Sequence, residues 1–218
     1  MTTSNKLTKK ELNQVFWRSF GLEWSWNYER QMNMSYCYSM LPVIKKLYPN
    51  KEDQVAAMKR HLEFFNTTPQ LATLILGISA AMEESNANDP EFDTESINSV
   101  KVSLMGPLAG IGDTLFWTLL PTIMGSIAGY MALEGNPIGV ILWLIVNLIF
   151  ICIRTQLMWI GYREGTKLIT KVGSKLARIT DAASVLGLTV VGALSATVVT
   201  AKTPLAFQMG EVNLAVAD

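Results

Sequence analysis

The sequence has few of the residues that carry out catalysis or hold metal ions. Its 218 residues include two cysteines and one histidine. The cysteines, Cys37 and Cys152, belong to no CxxC pattern, and Cys152 lies within an apolar run. The chain therefore offers neither a disulfide framework nor a typical metal site, and we expect both thiols to be buried as small apolar side chains.

The sequence also lacks the patterns of nucleotide-binding and nucleic-acid-binding proteins. Its 18 basic and 18 acidic residues cancel, and no basic stretch is interleaved with aromatic residues, so we expect no nucleic-acid partner. The one glycine-rich stretch is not followed by the GK[ST] of a phosphate loop, so no nucleotide cofactor is expected. The polar N-terminus lacks the apolar core of a cleavable signal peptide.

Long apolar runs are present in the second half of the chain. Residues 114–133, 138–153 and 182–200 contain no charged side chain. A helix needs about 20 apolar residues to cross the hydrocarbon core. The alternative, buried helices of a large soluble protein, would leave little chain to cover them. The runs predict an all-α integral membrane protein with about three transmembrane helices.

The loop charges predict how these helices are oriented. The segment 161–181 is rich in bases, whereas the turn EGNP at 134–137 has none, which places 161–181 and the N-terminus in the cytoplasm. Segment 161–181 is predicted to be an amphipathic helix on the inner membrane surface, or an ordinary helix packed on protein. Its bases are Arg163, Lys167, Lys171, Lys175 and Arg178.

Residues 1–70 form the predicted cytoplasmic or interfacial helical region. Segment 8–34 is helical in composition and crowded with aromatic residues, which suits an interfacial helix or a subunit contact. Segment 35–48 is apolar up to Lys45 and is expected to dip into the membrane or pack on a partner. Segment 50–65 is predicted to be an amphipathic helix with Asn50 as its N-cap.

Residues 71–113 are predicted to form a re-entrant helical hairpin or a packed helical pair. A short apolar piece at 71–82 is followed by a polar stretch and a glycine-rich return. We expect the return to break the helix, because glycine and proline disfavour helix interiors. Transporters place substrate sites at broken segments of this kind. The breaking residues are Gly106, Pro107, Gly110 and Gly112.

Ionisable groups beside the apolar runs are the candidate substrate contacts. Asp113 ends the glycine-rich stretch, where its carboxylate is expected to accept sugar hydroxyls or to cap the following helix. His61 is expected at a helix end, with a structural role favoured over a catalytic one. No metal ligands or catalytic residues are assigned. The candidate substrate-binding set is Asp113, Glu83, Glu84, Thr114 and Asn66.

The remaining predicted segments are 114–160 with two transmembrane helices, and 182–218 with a transmembrane helix and an outward-facing tail.

Several stretches in collinear order resemble one family. They are WNYERQMNMSYCYSMLPVIKKLYP at 26–49, RHLEFFNTTP at 60–69, ILGISAAMEE at 75–84, INSVKVSLMGPLAGIGDTLFW at 97–117 and ASVLGLTVVGAL at 183–194. Together they resemble the IID component of the mannose/fructose/sorbose phosphotransferase-system permeases.

The resemblance implies a multi-pass subunit of the bacterial cytoplasmic membrane that pairs with a IIC subunit, as a trimer of C–D pairs. Such a complex imports a hexose or amino-hexose, while the IIA and IIB proteins carry the phosphoryl group and IIB phosphorylates the sugar. The alternative implied role is a bacteriocin receptor or structural subunit without substrate contact. The sequence departs from the family at Leu120, where many members have arginine, and near Ser35, where many have glycine. Members also continue with further apolar segments beyond the position of Asp218.

Overall fold

A computed structural model describes residues 5–171, 206–209 and 212–215. These residues form seven α-helices and one small antiparallel pair of strands. The predicted helix at 182–200 lies outside the described residues. The elements are α1 Lys9–Arg18, α2 Asn33–Leu47, α3 Lys51–His61, α4 Pro69–Asn88, α5 Glu95–Gly112, α6 Leu120–Leu133, α7 Ile138–Lys171, β1 Ala206–Met209 and β2 Val212–Ala215.

The N-terminal region is less continuously helical than its composition indicates. Helix α1 begins with a capping box, in which Thr8 accepts from the backbone of Lys10 and Glu11 accepts from the backbone of Thr8. It ends at Arg18 and is followed by a short 3₁₀ turn, Ser19–Gly21. The prediction of helix over segment 8–34 is therefore wrong for residues 22–32, which form an aromatic loop before α2 begins.

Helix α2 lies in the centre of the protein and packs on α1, α3 and α4. Most apolar residues of segment 35–48 pack within this chain, and the expected contact of this segment with the membrane or a partner stays a prediction. Tyr36 and Ile44 from α2 meet Ile75 and Leu76 from α4 in one buried core. Helix α3 begins directly after Asn50 as predicted, although the Asn50 side chain bonds to Asp53 rather than to a backbone amide.

Helices α4 and α5 form a packed pair joined by the polar turn at 89–94. The predicted helix break at Gly106, Pro107, Gly110 and Gly112 is wrong, because α5 runs through all four residues. A π-helical segment, Asp113–Leu119, then connects α5 to α6 without interrupting the helix. After the glycine-rich stretch the helix therefore widens into π-helical turns and does not break. The membrane placement of the pair stays a prediction.

Two helical stretches are long and apolar enough to cross a membrane. They are Glu95–Leu133 and Ile138–Gly165, and they contain the runs predicted at 114–133 and 138–153. Few of their apolar residues are buried; Leu133, for example, is 89% exposed. Cys152 is exposed on α7, contrary to expectation, while Cys37 is buried. Exposed apolar helix surface of this extent is suited to contact with lipid or another membrane chain.

Two predicted boundaries are revised by the structure. The EGNP turn does separate α6 from α7, with Gly135 at φ 73°, a conformation that favours glycine. However, α7 continues to Lys171, so no boundary occurs at residue 161. The rest of the predicted amphipathic helix lies outside the described residues. Strands β1 and β2 fall in the segment predicted as an outward-facing tail.

Candidate functional site: a cavity beside Asp113

Asp113 lies at the first residue of the π-helical segment. Its backbone is helical, and its N–H donates to the carbonyl of Ala109, so the N-cap interpretation is wrong. Its carboxylate accepts a hydrogen bond from the Thr68 hydroxyl at 2.6 Å. Single π turns recur at functional sites, because the widened turn changes the direction of side chains. Asp113 therefore projects from an irregular point of a membrane-length helix.

The loop before α4 is held closely against α5. The Thr67 hydroxyl donates to the carbonyl of Met105 at 3.1 Å, and the backbone N–H of Asn66 lies 3.3 Å from the Met105 sulfur. A Cβ on Gly112 would lie 2.2 Å from the Thr68 Oγ1, so only glycine allows the loop to approach this closely. The glycine predicted to break the helix instead makes room for the partner of Asp113.

Asp113 and Asn66 line a common cavity of about 320 Å³. Two tryptophans and a second acid complete its polar and aromatic walls. Carboxylates accept hydrogen bonds from hydroxyl groups, an amide both donates and accepts, and indole rings pack against apolar ring faces. The cavity thus has the groups needed to hold a small polyhydroxyl molecule. Its lining residues are Glu23, Trp26, Met32, Asn66, Thr67, Pro69, Asp113 and Trp117.

Sequence reasoning missed Thr68, which bonds to Asp113, and six of the lining residues. The six are Glu23, Trp26, Met32, Thr67, Pro69 and Trp117. Trp117 could have been found, because it lies four residues after Asp113 and so on the same helical face. Glu23 and Trp26 come from the aromatic loop before α2, far away in sequence. Thr114, which was predicted to take part, donates its hydroxyl back to Gly110 of its own helix at 3.0 Å. Thr114 is not one of the described residues that line the cavity.

Glu83, a second candidate, is the centre of a buried ion network. Its side chain is fully buried and is contacted by Arg60 through both carboxylate oxygens, each at 2.9 Å. His61 lies 2.8 Å from Oε1, and the Tyr48 hydroxyl donates to Oε2 at 2.6 Å. These partners use the acceptor capacity of the carboxylate, so Glu83 has a structural role at the junction of α2, α3 and α4.

The charges in this network are set by burial and by mutual contact. Burial alone would raise the pKa of Glu83, but the hydrogen bonds from His61 and Arg60, together with the positive charge of Arg60, outweigh it and hold the pKa at about 2. Burial lowers the pKa of His61, partly opposed by the Glu83 carboxylate. The Nε2 of His61 faces that carboxylate at 2.8 Å. Its Nδ1 is buried without a partner among the described residues.

His61 is the last residue of α3, so its predicted place at a helix end is confirmed. Glu84 is partly buried and accepts hydrogen bonds from the Leu7 backbone at 2.6 Å and from the Tyr162 hydroxyl at 2.7 Å. Neither Glu83 nor Glu84 is among the residues that line the Asp113 cavity. His61 bonds to Glu83 and Asp113 bonds to Thr68, so His61 and Asp113 have different hydrogen-bond partners. Within the described part of the chain, no cluster of His, Cys, Asp or Glu has a metal-binding arrangement.

Comparison with known proteins shows the family to which this chain belongs. The family model for the "PTS system mannose/fructose/sorbose family IID component" matches residues 6–218. This chain belongs to that IID family. The sorbose-specific EIID component of Klebsiella pneumoniae is 42% identical over 205 residues, which cover 92% of this chain and 74% of the relative. The mannose-specific EIID component of Escherichia coli is 42% identical over 196 residues, covering 88% and 69%.

A solved structure agrees with the sequence relatives. A cryo-EM structure of the mannose transporter ManYZ with a microcin superposes with a TM-score of 0.84 at 41% identity. The match covers 93% of this chain and 75% of that one. The IID chain is accordingly a membrane component of a sugar phosphotransferase-system permease, and the predicted family and all-α membrane fold class are confirmed.

Proposed function

We propose that this IID chain forms, together with a IIC subunit, the membrane pathway that imports a hexose or amino-hexose. The sugar is phosphorylated by IIB, which receives its phosphoryl group from IIA, and the IID chain itself catalyses no step. The observation that carries this proposal is the Asp113 cavity, in which an accessible carboxylate, an amide and two tryptophans converge. The names of the relatives, which are sorbose- and mannose-specific components, support the substrate class.

The proposed sugar contact uses the two kinds of surface that a sugar presents. Asp113 and Glu23 accept hydrogen bonds from hydroxyl groups, and Asn66 donates or accepts as required. Trp26 and Trp117 pack against the C–H faces of the ring. Thr68 orients the Asp113 carboxylate through its 2.6 Å bond. Glu83, Glu84 and Thr114 are not included, because their contacts are within the protein.

The proposed topology follows the loop charges. The N-terminal region and the basic segment that begins at Arg163 are in the cytoplasm, where IIA and IIB act, and the turn at 134–137 faces outward. The exposed apolar surface of the helix pair Glu95–Leu133 and Ile138–Gly165 supports contact with lipid and IIC. We further propose the trimer of C–D pairs that the family resemblance implies.

The decisive experiment is Asp113→Asn with uptake and assembly measured in the same cells. The substitution keeps the size of the side chain but removes its charge. We expect radiolabelled sugar uptake to fall about tenfold or more, as for loss of a charge-assisted hydrogen bond, while co-purification with IIC is unchanged. Asp93→Asn in the α4–α5 turn is the matched control, because Asp93 is exposed and caps Glu95 through an oxygen that asparagine retains.

The outcomes separate this proposal from its alternative, a receptor or structural subunit without substrate contact. Lost uptake with intact assembly supports a substrate-facing Asp113. Normal uptake by Asp113→Asn overturns the sugar-contact role. Uptake by this chain alone, reconstituted without IIC, would overturn the two-subunit pathway.

A further inference from the structure

A second cavity, also lined by Trp117, lies between α6 and α7. It has a volume of about 370 Å³ and is distinct from the Asp113 cavity, although Trp117 borders both. One basic side chain, Arg154, and two amides, Gln70 and Asn147, interrupt walls that are otherwise mainly aromatic and apolar. The aromatic wall residues are Phe20, Phe116, Trp117, Trp143 and Phe150.

Arg154 is an unusual residue for this position. It is 9% exposed and lies in the apolar helix Ile138–Gly165. Its Nη2 donates to the carbonyl and hydroxyl of Ser19, at 3.2 and 3.1 Å, and its guanidinium lies 4.1 Å from the centre of the Phe20 ring. The Nε is buried with no acceptor in the part of the chain that the structure describes. No carboxylate among the described residues forms an ion pair with Arg154.

A buried cation without a counter-charge is costly within a membrane segment. The contacts of Arg154 with Ser19 and Phe20 supply dipoles and an aromatic face. The negative charge of Glu23 acts on Arg154 from beyond ion-pair distance, so no carboxylate contacts the guanidinium among the described residues. Gln70 also lacks a hydrogen-bond partner, because its Oε1 is buried without a donor among the described residues. A ligand that carries an anion and a hydrogen-bond donor would satisfy both side chains.

The depth of Arg154 indicates where such an anion comes from. Arg154 is 16 residues after Ile138, the first residue of α7, which corresponds to about 24 Å along the helix axis. The proposed outward-facing turn at 134–137 puts Ile138 at the outer edge of the hydrocarbon core. In a core about 30 Å thick, Arg154 then lies about 6 Å from the inner edge, where the headgroups begin. From there the aromatic wall formed by Phe150 and Trp143 extends toward the bilayer centre, in the direction of an acyl chain.

We propose that this cavity binds a phosphate-bearing anion, supplied by the headgroup of an anionic phospholipid. Arg154 binds the phosphate, a headgroup hydroxyl donates to Gln70, and the proximal acyl chain lies against the aromatic wall. Guanidinium is well suited to phosphate because of its planar, multi-donor geometry. The bound lipid would act as the counter-charge of Arg154 and join the N-terminal turn at Ser19 to the membrane helices.

The test uses this chain purified with its membrane partner in detergent and depleted of lipid. Binding is titrated by native mass spectrometry with phosphatidylglycerol, with a diacylglycerol of the same acyl chains, and with inorganic phosphate. We expect phosphatidylglycerol to bind wild-type protein and Arg154→Gln to weaken binding at least about tenfold. Arg18→Gln is the matched control and should not change binding, because Arg18 also lies over an aromatic ring, that of Tyr38 at 4.6 Å, and donates to a carbonyl.

A second variant covers the case in which Arg154→Gln fails to assemble. Gln70→Leu leaves the contacts of Arg154 with Ser19 in place, and we expect it to weaken phosphatidylglycerol binding severalfold. Equal binding of phosphatidylglycerol and diacylglycerol would overturn phosphate recognition. Saturation by inorganic phosphate at the same concentration would overturn the lipid as the source of the anion. Unchanged binding in both variants would overturn the site.

Discussion

Gly77 of α4 and Gly161 of α7 each lie against the backbone of the opposite helix. A Cβ on Gly77 would lie 2.3 Å from the carbonyl oxygen of Met158, and a Cβ on Gly161 would lie 2.2 Å from that of Leu74. Gly165, one turn further along α7, faces Ala81 in the same way. Small residues spaced four apart allow helix backbones to approach closely, as in membrane helix pairs. This contact joins the buried core of the N-terminal region to a membrane-length helix.

We therefore expect Gly161→Ala to separate α4 from α7 and to destabilise the protein by about 3 kcal/mol, the upper part of the range for overpacking. The added methyl group meets backbone rather than a movable side chain, so local rotamer changes cannot relieve it. The measurement is the thermal midpoint of the detergent-purified protein. Gly129→Ala is the control, because nothing lies within 4 Å of a Cβ built there. A similar midpoint for both variants would contradict the close approach.

The membrane helices could be predicted from the sequence because their signal is local. The apolar runs at 114–133 and 138–153, separated by a turn with Gly135 and Pro137, directly reflect the length requirement of the bilayer. The start of α3 after Asn50 was predictable for a similar reason. The glycine-rich stretch was misread because the same residues that disfavour helix also permit close packing. Here the glycines permit close packing because Gly112 lies against Thr68, which is distant in sequence.

The two polar sites also depend on contacts between residues that are distant in sequence, which the sequence did not predict. Glu83 and His61 are 22 residues apart, and their pairing depends on how α3 folds back on α4. Composition could identify Asp113 as a boundary acid, but could not place Trp26 beside it. In the sequence Arg154 is only the charge that follows the apolar run 138–153, whereas its burial against Ser19 depends on a contact 135 residues away. Long-range packing, which periodicity does not encode, decides which boundary acids are accessible.

Thr68→Val is expected to weaken sugar transport by releasing the Asp113 carboxylate from its 2.6 Å hydrogen bond. The shape of the side chain is nearly unchanged, so the effect should appear mainly as a KM for uptake raised about three- to tenfold, equivalent to about 1 kcal/mol of a neutral hydrogen bond. Thr114→Val is the matched control, since that hydroxyl bonds only within its own helix. An equal or larger effect of Thr114→Val would argue against the orienting role of Thr68.

Glu83→Gln is expected to destabilise the folded protein by roughly 3–5 kcal/mol, the cost of leaving a buried cation without its counter-charge. Arg60 would lose its two-oxygen contact, and the amide would place an N–H₂ group opposite donors. Denaturation of the purified protein in mixed micelles measures the change. Glu84→Gln should cost clearly less, because Glu84 is only partly buried and its two partners, Leu7 and Tyr162, are neutral donors. The reverse order would show that Glu83 is not the centre of the network.

Acidification from pH 7.5 to 5.5 is expected to lower the thermal midpoint through His61, the one histidine of the chain. Its pKa is below the ordinary 6.5 in the folded protein because it is buried. The unfolded chain therefore takes up a proton that the folded chain resists. Stability from this source is present above pH 6.5 and is lost below it, with a limiting slope of about 1.4 kcal/mol per pH unit.

The groups around His61 do not produce this slope themselves. Glu83 has an ordinary pKa of 4.5 and a folded pKa of about 2, so it stays ionised in both states above pH 5.5 and loses its stabilising contribution only as pH falls from 4.5 toward 2. Arg60 and Lys101 add positive charge that opposes protonation of His61, and Tyr36 packs against its ring. His61→Gln retains a donor for Glu83 but does not titrate. We expect its thermal midpoint to be nearly constant from pH 7.5 to 5.5, and a slope as steep as that of the wild type would assign the pH dependence to another group.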